Sequence, residues 1–155
     1  MRWYRKIIDA PEGDFTALGD AIVWFENEHD DGRKLLKVKG RITTIATNIP
    51  SWVEYYYGIW MEVEAIAKYL EILIDKATQT ARRNYTEHYN RALSDITADK
   101  YAKADPAVLD LRMLLNHVLL IRNQLNGLHK GFEAQNFQLS NVVKLHAAGI
   151  EDAEL

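Results

Sequence analysis

Residues 105–149 read DPAVLDLRMLLNHVLLIRNQLNGLHKGFEAQNFQLSNVVKLHAAG, and this stretch decides the fold. Leu111, Leu114, Val118, Ile121, Leu125, Leu128, Phe132, Leu139 and Val142 recur at alternating steps of three and four, broken only at Gln135. A 3.5-residue period keeps one stripe on one side of a helix. Asp105 is a natural N-cap, because its carboxylate accepts from the exposed amides of a first turn. Pro106 suits the first helical position, where no amide is needed. Gly149 suits the stop, since glycine adopts the left-handed conformation readily. The spacing predicts a helix over 106–146, about 40 residues and roughly 60 Å long. Such a stripe requires a second long helix, from this chain or from a copy of it.

The chain supplies one. Ser51-Trp52-Val53-Glu54 reads as a capping box with Pro50 just ahead of it. Ile59, Val63, Ile66, Leu70, Leu73 and Ala77 continue at the same alternating steps, which predicts a helix over about 51–89. Between the two, Ser94, Asp95, Thr97 and Asp99 are turn and cap residues, and Tyr101 and Ala102 belong to a short third helix. The expected fold class is all-α: two long antiparallel helices, a short connecting helix and a less regular N-terminal arm. Each long helix carries more apolar surface than one partner covers. The seam from Leu111 to Val142 is therefore the expected interface of a coiled-coil-like homo-oligomer larger than a dimer.

The first 48 residues read as an arm or small head. Asp14 is placed to cap a helix through Phe15, Leu18, Ile22 and Phe25 that ends near Asp30-Asp31-Gly32. Leu36, Val38 and Ile42, with threonines at 43, 44 and 47, read as extended chain. Residues 49–149 form the helical core and 150–155 a tail, all within one domain, the default at 155 residues. The absence of cysteine excludes disulfides and thiolate metal sites and suits a reducing compartment. No stretch approaches 18 apolar residues, and acids follow Arg2, Arg5 and Lys6 where a signal peptide would be apolar. The expectation is a soluble cytoplasmic protein without a membrane partner.

Net charge is −3, but the charges are sorted. Residues 9 to 31 hold eight acids and no Lys or Arg, and residues 32 to 53 hold five bases and no acid. Residues 54 to 75 hold five carboxylates against Lys68, and residues 76 to 91 hold Lys76, Arg82, Arg83 and Arg91 against Glu87. Local basic blocks on an acidic protein bind a polyanion through one face, or are simply solvated faces.

Catalytic and metal motifs are missing. Two Glu-x-x-His motifs aimed inward from separate helices, His-Glu-x-x-His, a glycine-rich phosphate loop and a nucleophile elbow do not occur. His117, His129 and His146 stand 12 and 17 residues apart, too far to converge on one ion along a straight helix, and read as surface or interface histidines. The expectation is a non-enzyme without metal or cofactor. A helical-bundle enzyme is the competing class, but its best acidic face, Glu64-Glu71-Asp75, lies on the outer side of its helix.

The segment Lys76 to Arg91 carries the most chemistry. Arginine meets phosphate through a fixed fork of donors, and a tyrosine face stacks on an unpaired base at about 1–3 kcal/mol. Arg82, Tyr85 and Tyr89 lie at i, i+3 and i+7, on one face of a helix. The candidate site for single-stranded DNA is Lys76, Arg82, Arg83, Tyr85, Tyr89 and Arg91. The competing reading is a helix end whose tyrosines pack and whose arginines cap carbonyls.

From about Lys39 to Gly149 the chain resembles the UvsY-like phage recombination mediator family. The family's motif Lys-Ala-Arg-Leu-Asp-Tyr-Tyr, at the end of a long helix, is matched by Thr80-Ala81-Arg82-Arg83-Asn84-Tyr85-Thr86. Upstream, Ile49-Pro50-Ser51-Trp52 and Tyr55-Tyr56-Tyr57 resemble its helix opening. Downstream, Asp99-Lys100-Tyr101 and a long apolar helix follow its order of parts, Phe137 to Val143 resembles its C-terminal segment, and Ala147-Ala148-Gly149 its ending. The motif lysine falls on Thr80 and the second tyrosine on Thr86, with Arg83 and Tyr89 as substitutes. The resemblance implies single-stranded DNA binding, a ring-like homo-oligomer, and loading of a RecA-like recombinase onto DNA coated with single-strand-binding protein, in the host bacterial cytoplasm if phage-encoded. The acidic segment 9–31 would meet a basic surface on one of those partners. The alternative is a phage adaptor that oligomerises without binding DNA.

Overall fold

The computed structural model describes residues 2–37, 42–87 and 93–149. The described chain is all-α: α1 (Arg2–Ile8), α2 (Thr16–Leu36), α3 (Ile42–Glu87), α4 (Asp95–Lys103) and α5 (Pro106–Ala147). The helix ends follow the expected chemistry. Asp105 Oδ1 accepts from the Ala107 amide at 3.0 Å at the start of α5, and Gly149 takes a φ of +81° just beyond its end. Ser94 caps α4, its hydroxyl accepting from the Thr97 amide at 3.4 Å. At α2 the cap position is Phe15 and not the expected Asp14, which lies one residue earlier; the Asp14 carboxylate accepts from the Thr16 amide at 2.9 Å, and that hydrogen bond holds its carboxyl below the ordinary value.

Two boundaries differ from the sequence reading. The helix expected from Ser51 starts at Ile42 and carries Pro50 inside it. Residues 42–47, expected to be extended, are its first turns, and Leu36 ends α2. Val38 lies outside the described residues. Pro50 withholds one amide from the helical ladder. Opposing that loss, Ile49 is completely buried against Leu139, with Ala46, Trp52 and Val53 packed around them. Burial of this kind overrides the weak extended preference of β-branched residues. Ser51 and Glu54 therefore lie within the helix and do not begin it.

Helix α2 also runs past the expected stop at Asp30-Asp31-Gly32. Gly32 is buried, and a Cβ there would lie 2.7 Å from Tyr56 Cζ and overlap Leu128. Its glycine serves close packing inside a helix, and no turn is made at this point.

The chain divides into two compact units, Met1–Glu62 with Ile121–Leu155, and Val63–Leu120. Residues of α1 and α2, read from the sequence as an arm or small head, belong to the first unit. There Tyr56 stacks on Phe132 with centroids 5.2 Å apart, Trp52 lies 5.7 Å from the same ring, and Leu18, Ile22 and Phe25 supply the buried face of α2. The Glu62 carboxylate accepts from the amides of Trp3 at 2.7 Å and Tyr4 at 3.0 Å, which ties α1 to α3. In the second unit, Val63, Ile66, Leu70, Ile74 and Ala81 of α3 are buried, as are Ala98 and Ala102 of α4 and Val108 and Val118 of α5.

The seam expected to hold a second copy is largely covered within one chain. Ile121, Leu125, Leu128, Phe132, Leu139 and Val142 are buried in the first unit, and Val118 in the second. Leu111 and Leu114 are half-buried. The chain satisfies its own stripe, so these side chains leave little surface for an interface.

Candidate nucleic-acid interface

Buried Ala81 fixes the rotation of the last turns of α3. At 100° per residue, Tyr85 follows on nearly the same side, Arg82 flanks it, and Lys76 and Arg83 fall on the opposite side. The structure accordingly splits the basic and aromatic segment into two faces.

The inner face is engaged with the start and middle of α4. Arg82 Nε lies 3.0 Å from Asp99 Oδ1 and its Nη2 3.6 Å from Asp95 Oδ1. Asp95 and Asp99 are one turn apart on α4, so a single guanidinium fork meets both carboxylates. The half-buried Tyr85 ring lies 5.6 Å from that of Tyr101, tilted by 31°. Its hydroxyl donates to Asp105 Oδ2 at 3.5 Å. Tyr85 thus packs, as the competing reading expects of the segment's tyrosines, and Arg82 is paired. The arginine binds carboxylates and not carbonyls.

Lys76 and Arg83 are exposed, two turns apart along one line of α3 with Gln79 between them. Thr80 and Thr86 return their hydroxyls to the helix, donating to the carbonyls of Lys76 at 3.0 Å and Arg82 at 2.6 Å. Hydroxyls bonded to their own helix offer little to a ligand. Tyr89 and Arg91 lie outside the described residues. Two further cations, Lys100 and Lys103, are exposed in the last turn of α4, next to Tyr101, which is also exposed. The sequence reading assigned none of these three. Their signal was their position in a short amphipathic helix with alanines inward.

The histidines are separate. His117 is exposed. His129, expected at a surface or interface, is buried in the first unit beside the rings of Tyr57 (5.3 Å) and Trp60 (6.3 Å). Its Nε2 lies 3.6 Å from Glu133 Oε1. The side chain of His146 lies outside the described residues. Among the described residues, no group of three or more His, Cys, Asp or Glu is placed to hold a metal, and no helix is long and apolar enough to cross a membrane. Comparison of the chain with protein-family models, with curated proteins and with solved structures finds no match.

Proposed function

We propose that this chain is a recombination mediator: a non-catalytic helical protein that binds single-stranded DNA as a homo-oligomer and helps load a RecA-like recombinase onto DNA coated with single-strand-binding protein. The observation that carries the reading is the succession of parts. Helix α3 closes on Thr80 to Thr86, a short capped helix then presents Asp99-Lys100-Tyr101, and the long α5 stops before Gly149. That is the order of the family the sequence resembles. An antiparallel course of α3 and α5 within the first unit is part of the reading. Trp52 and Tyr56 meet Phe132, whereas the later Tyr57 and Trp60 meet the earlier His129.

The DNA contact is assigned to charge on the outer face of α3, from Lys76 and Arg83. Arg82 and Tyr85 set the geometry of α4. Two phosphate contacts per protomer are weak, but a closed assembly repeats them and raises effective concentration. No bond is made or broken; loading exchanges one binding partner for another.

Labelled oligo-dT titrated at two salt concentrations tests this. Single-strand binding loses about 0.7 in the log–log salt slope per phosphate contact removed. Lys76→Ala with Arg83→Ala should therefore flatten the slope by about 1.4 per protomer, while Arg82→Ala leaves it unchanged. Absence of binding at moderate salt would refute the reading. It would leave the second one, a helical adaptor that assembles without DNA. The pairing of Arg82 with Asp95 and Asp99 favours that second reading, because it removes one cation from the surface.

A further inference from the structure

Helix α5 carries a second apolar seam, on its outer side. Within the unit Val63–Leu120, Leu109, Met113, Asn116 and Leu120 follow at steps of four, three and four residues. That is the spacing of a coiled-coil seam. Buried Val118 lies nine residues from Leu109, which is half a turn away on the helix. The outer seam therefore points away from the covered face. Leu109, Met113 and Leu120 are 44%, 63% and 57% exposed, and Asn116 is exposed between them. Of the 14 residues from Val108 to Ile121, ten are apolar. A helix apolar on all sides is normally covered on all sides, yet within one chain this side is open.

We propose that the outer seam of α5 pairs with the same seam of a second copy of this chain, about a two-fold axis that sets Asn116 against Asn116. Two observations select a copy over an unrelated partner. First, asparagine in an apolar seam lowers stability unless the residue opposite it is polar, and there it fixes register. The Asn116 amide holds both donor and acceptor, so its best match is its own kind. An apolar partner would bury that amide unpaired. Second, the areas agree. Three large side chains that are about half exposed make an apolar patch of roughly 300 Å² per chain, the size of the largest patch on a typical monomer, which is often functional. Two such patches with a polar rim approach the interface of about 1,000 Å² that a specific pair needs. In an isologous contact one patch serves both partners. This inference rests on the homo-oligomer part of the reading above and is independent of DNA binding.

The chain has no cysteine, so a single Asn116→Cys substitution makes a unique reporter at an exposed position. Mild oxidation should convert Asn116→Cys to a thiol-reversible covalent dimer of twice the 17.9 kDa chain mass. Gln138→Cys, exposed on the same helix in the other unit, should give at least tenfold less. Leu120→Glu should reduce the parent's light-scattering mass at unchanged helical circular dichroism. If the parent is assembled but Asn116→Cys does not cross-link above the Gln138→Cys control, the seam is wrong and the homo-oligomer stands. If the parent runs as a monomer at micromolar concentration, both are wrong.

Discussion

Arg82 and Asp99 face each other across α3 and α4 at 3.0 Å, Nε to Oδ1, with Asp95 one turn before Asp99 also within reach of the guanidinium. The most conspicuous arginine of the chain is therefore part of a helix–helix contact. Its pair is partly exposed, with side-chain exposure of 40% for Arg82 and 49% for Asp99. Exposed pairs contribute about 0.2–1 kcal/mol. Arg82→Ala should lower stability by that amount in urea denaturation. If it instead abolished oligo-dT binding in a fully folded protein, Arg82 would be a DNA contact.

Tyr85 gives a sharper contrast. Its ring packs on Tyr101, and aromatic pairs add about 0.5–1.5 kcal/mol beyond area. Tyr85→Ala should cost about 1–3 kcal/mol in stability. Tyr85→Phe should stay within about 0.5 kcal/mol of the parent, because the bond to Asp105 is long. A ring that stacks on a base behaves the other way, losing affinity at constant melting temperature.

Leu125 is completely buried within one chain. Leu125→Ala should cost about 2–5 kcal/mol, and Leu125→Asp should prevent folding, since it buries an unpaired charge. Far-ultraviolet circular dichroism reads both. A folded, monomeric Leu125→Asp protein would mean that this residue lies between copies.

Two helical glycines separate packing from propensity. At Gly58 a Cβ meets nothing within 4 Å, whereas at Gly32 it meets the Tyr56 ring. Gly58→Ala should stabilise by about 0.5–1 kcal/mol. Gly32→Ala should destabilise by about 1–3 kcal/mol, because the crowded side chains must move. Paired thermal melts decide it.

Tyr56 ties stability to alkaline pH. Burial, and then the negative charge of Glu28, push its hydroxyl up to about 12 from the ordinary 10. The unfolded chain thus loses this proton first, and stability falls as pH rises from about 10 towards 12. Below about 10 the contribution is fully present. Tyr56→Phe should flatten that decline, as followed by denaturant midpoints across the interval.

The sequence by itself determined the all-α class, the chemistry at the start and end of α5, the long helix ahead of it, and the short helix opened by Ser94. Each of these is local: a capping oxygen two or three residues from an amide, or an apolar step of three or four. Tertiary structure decided the rest. Residues 42–50 are helical because Ile49 finds Leu139 some 90 residues later, a contact no local pattern encodes. Gly32 sits within a helix because Tyr56 and Leu128 need its missing side chain. Arg82, Arg83 and Lys76 looked like one basic block along the chain. The rotation of α3 distributes them, and the docking of α4 sets Asp95 and Asp99 against Arg82 while Lys76 and Arg83 stay exposed. Periodicity shows that a stripe must be covered, but what covers it is a matter of packing. The inner seam of α5 is buried by its own chain, and the outer seam stays open.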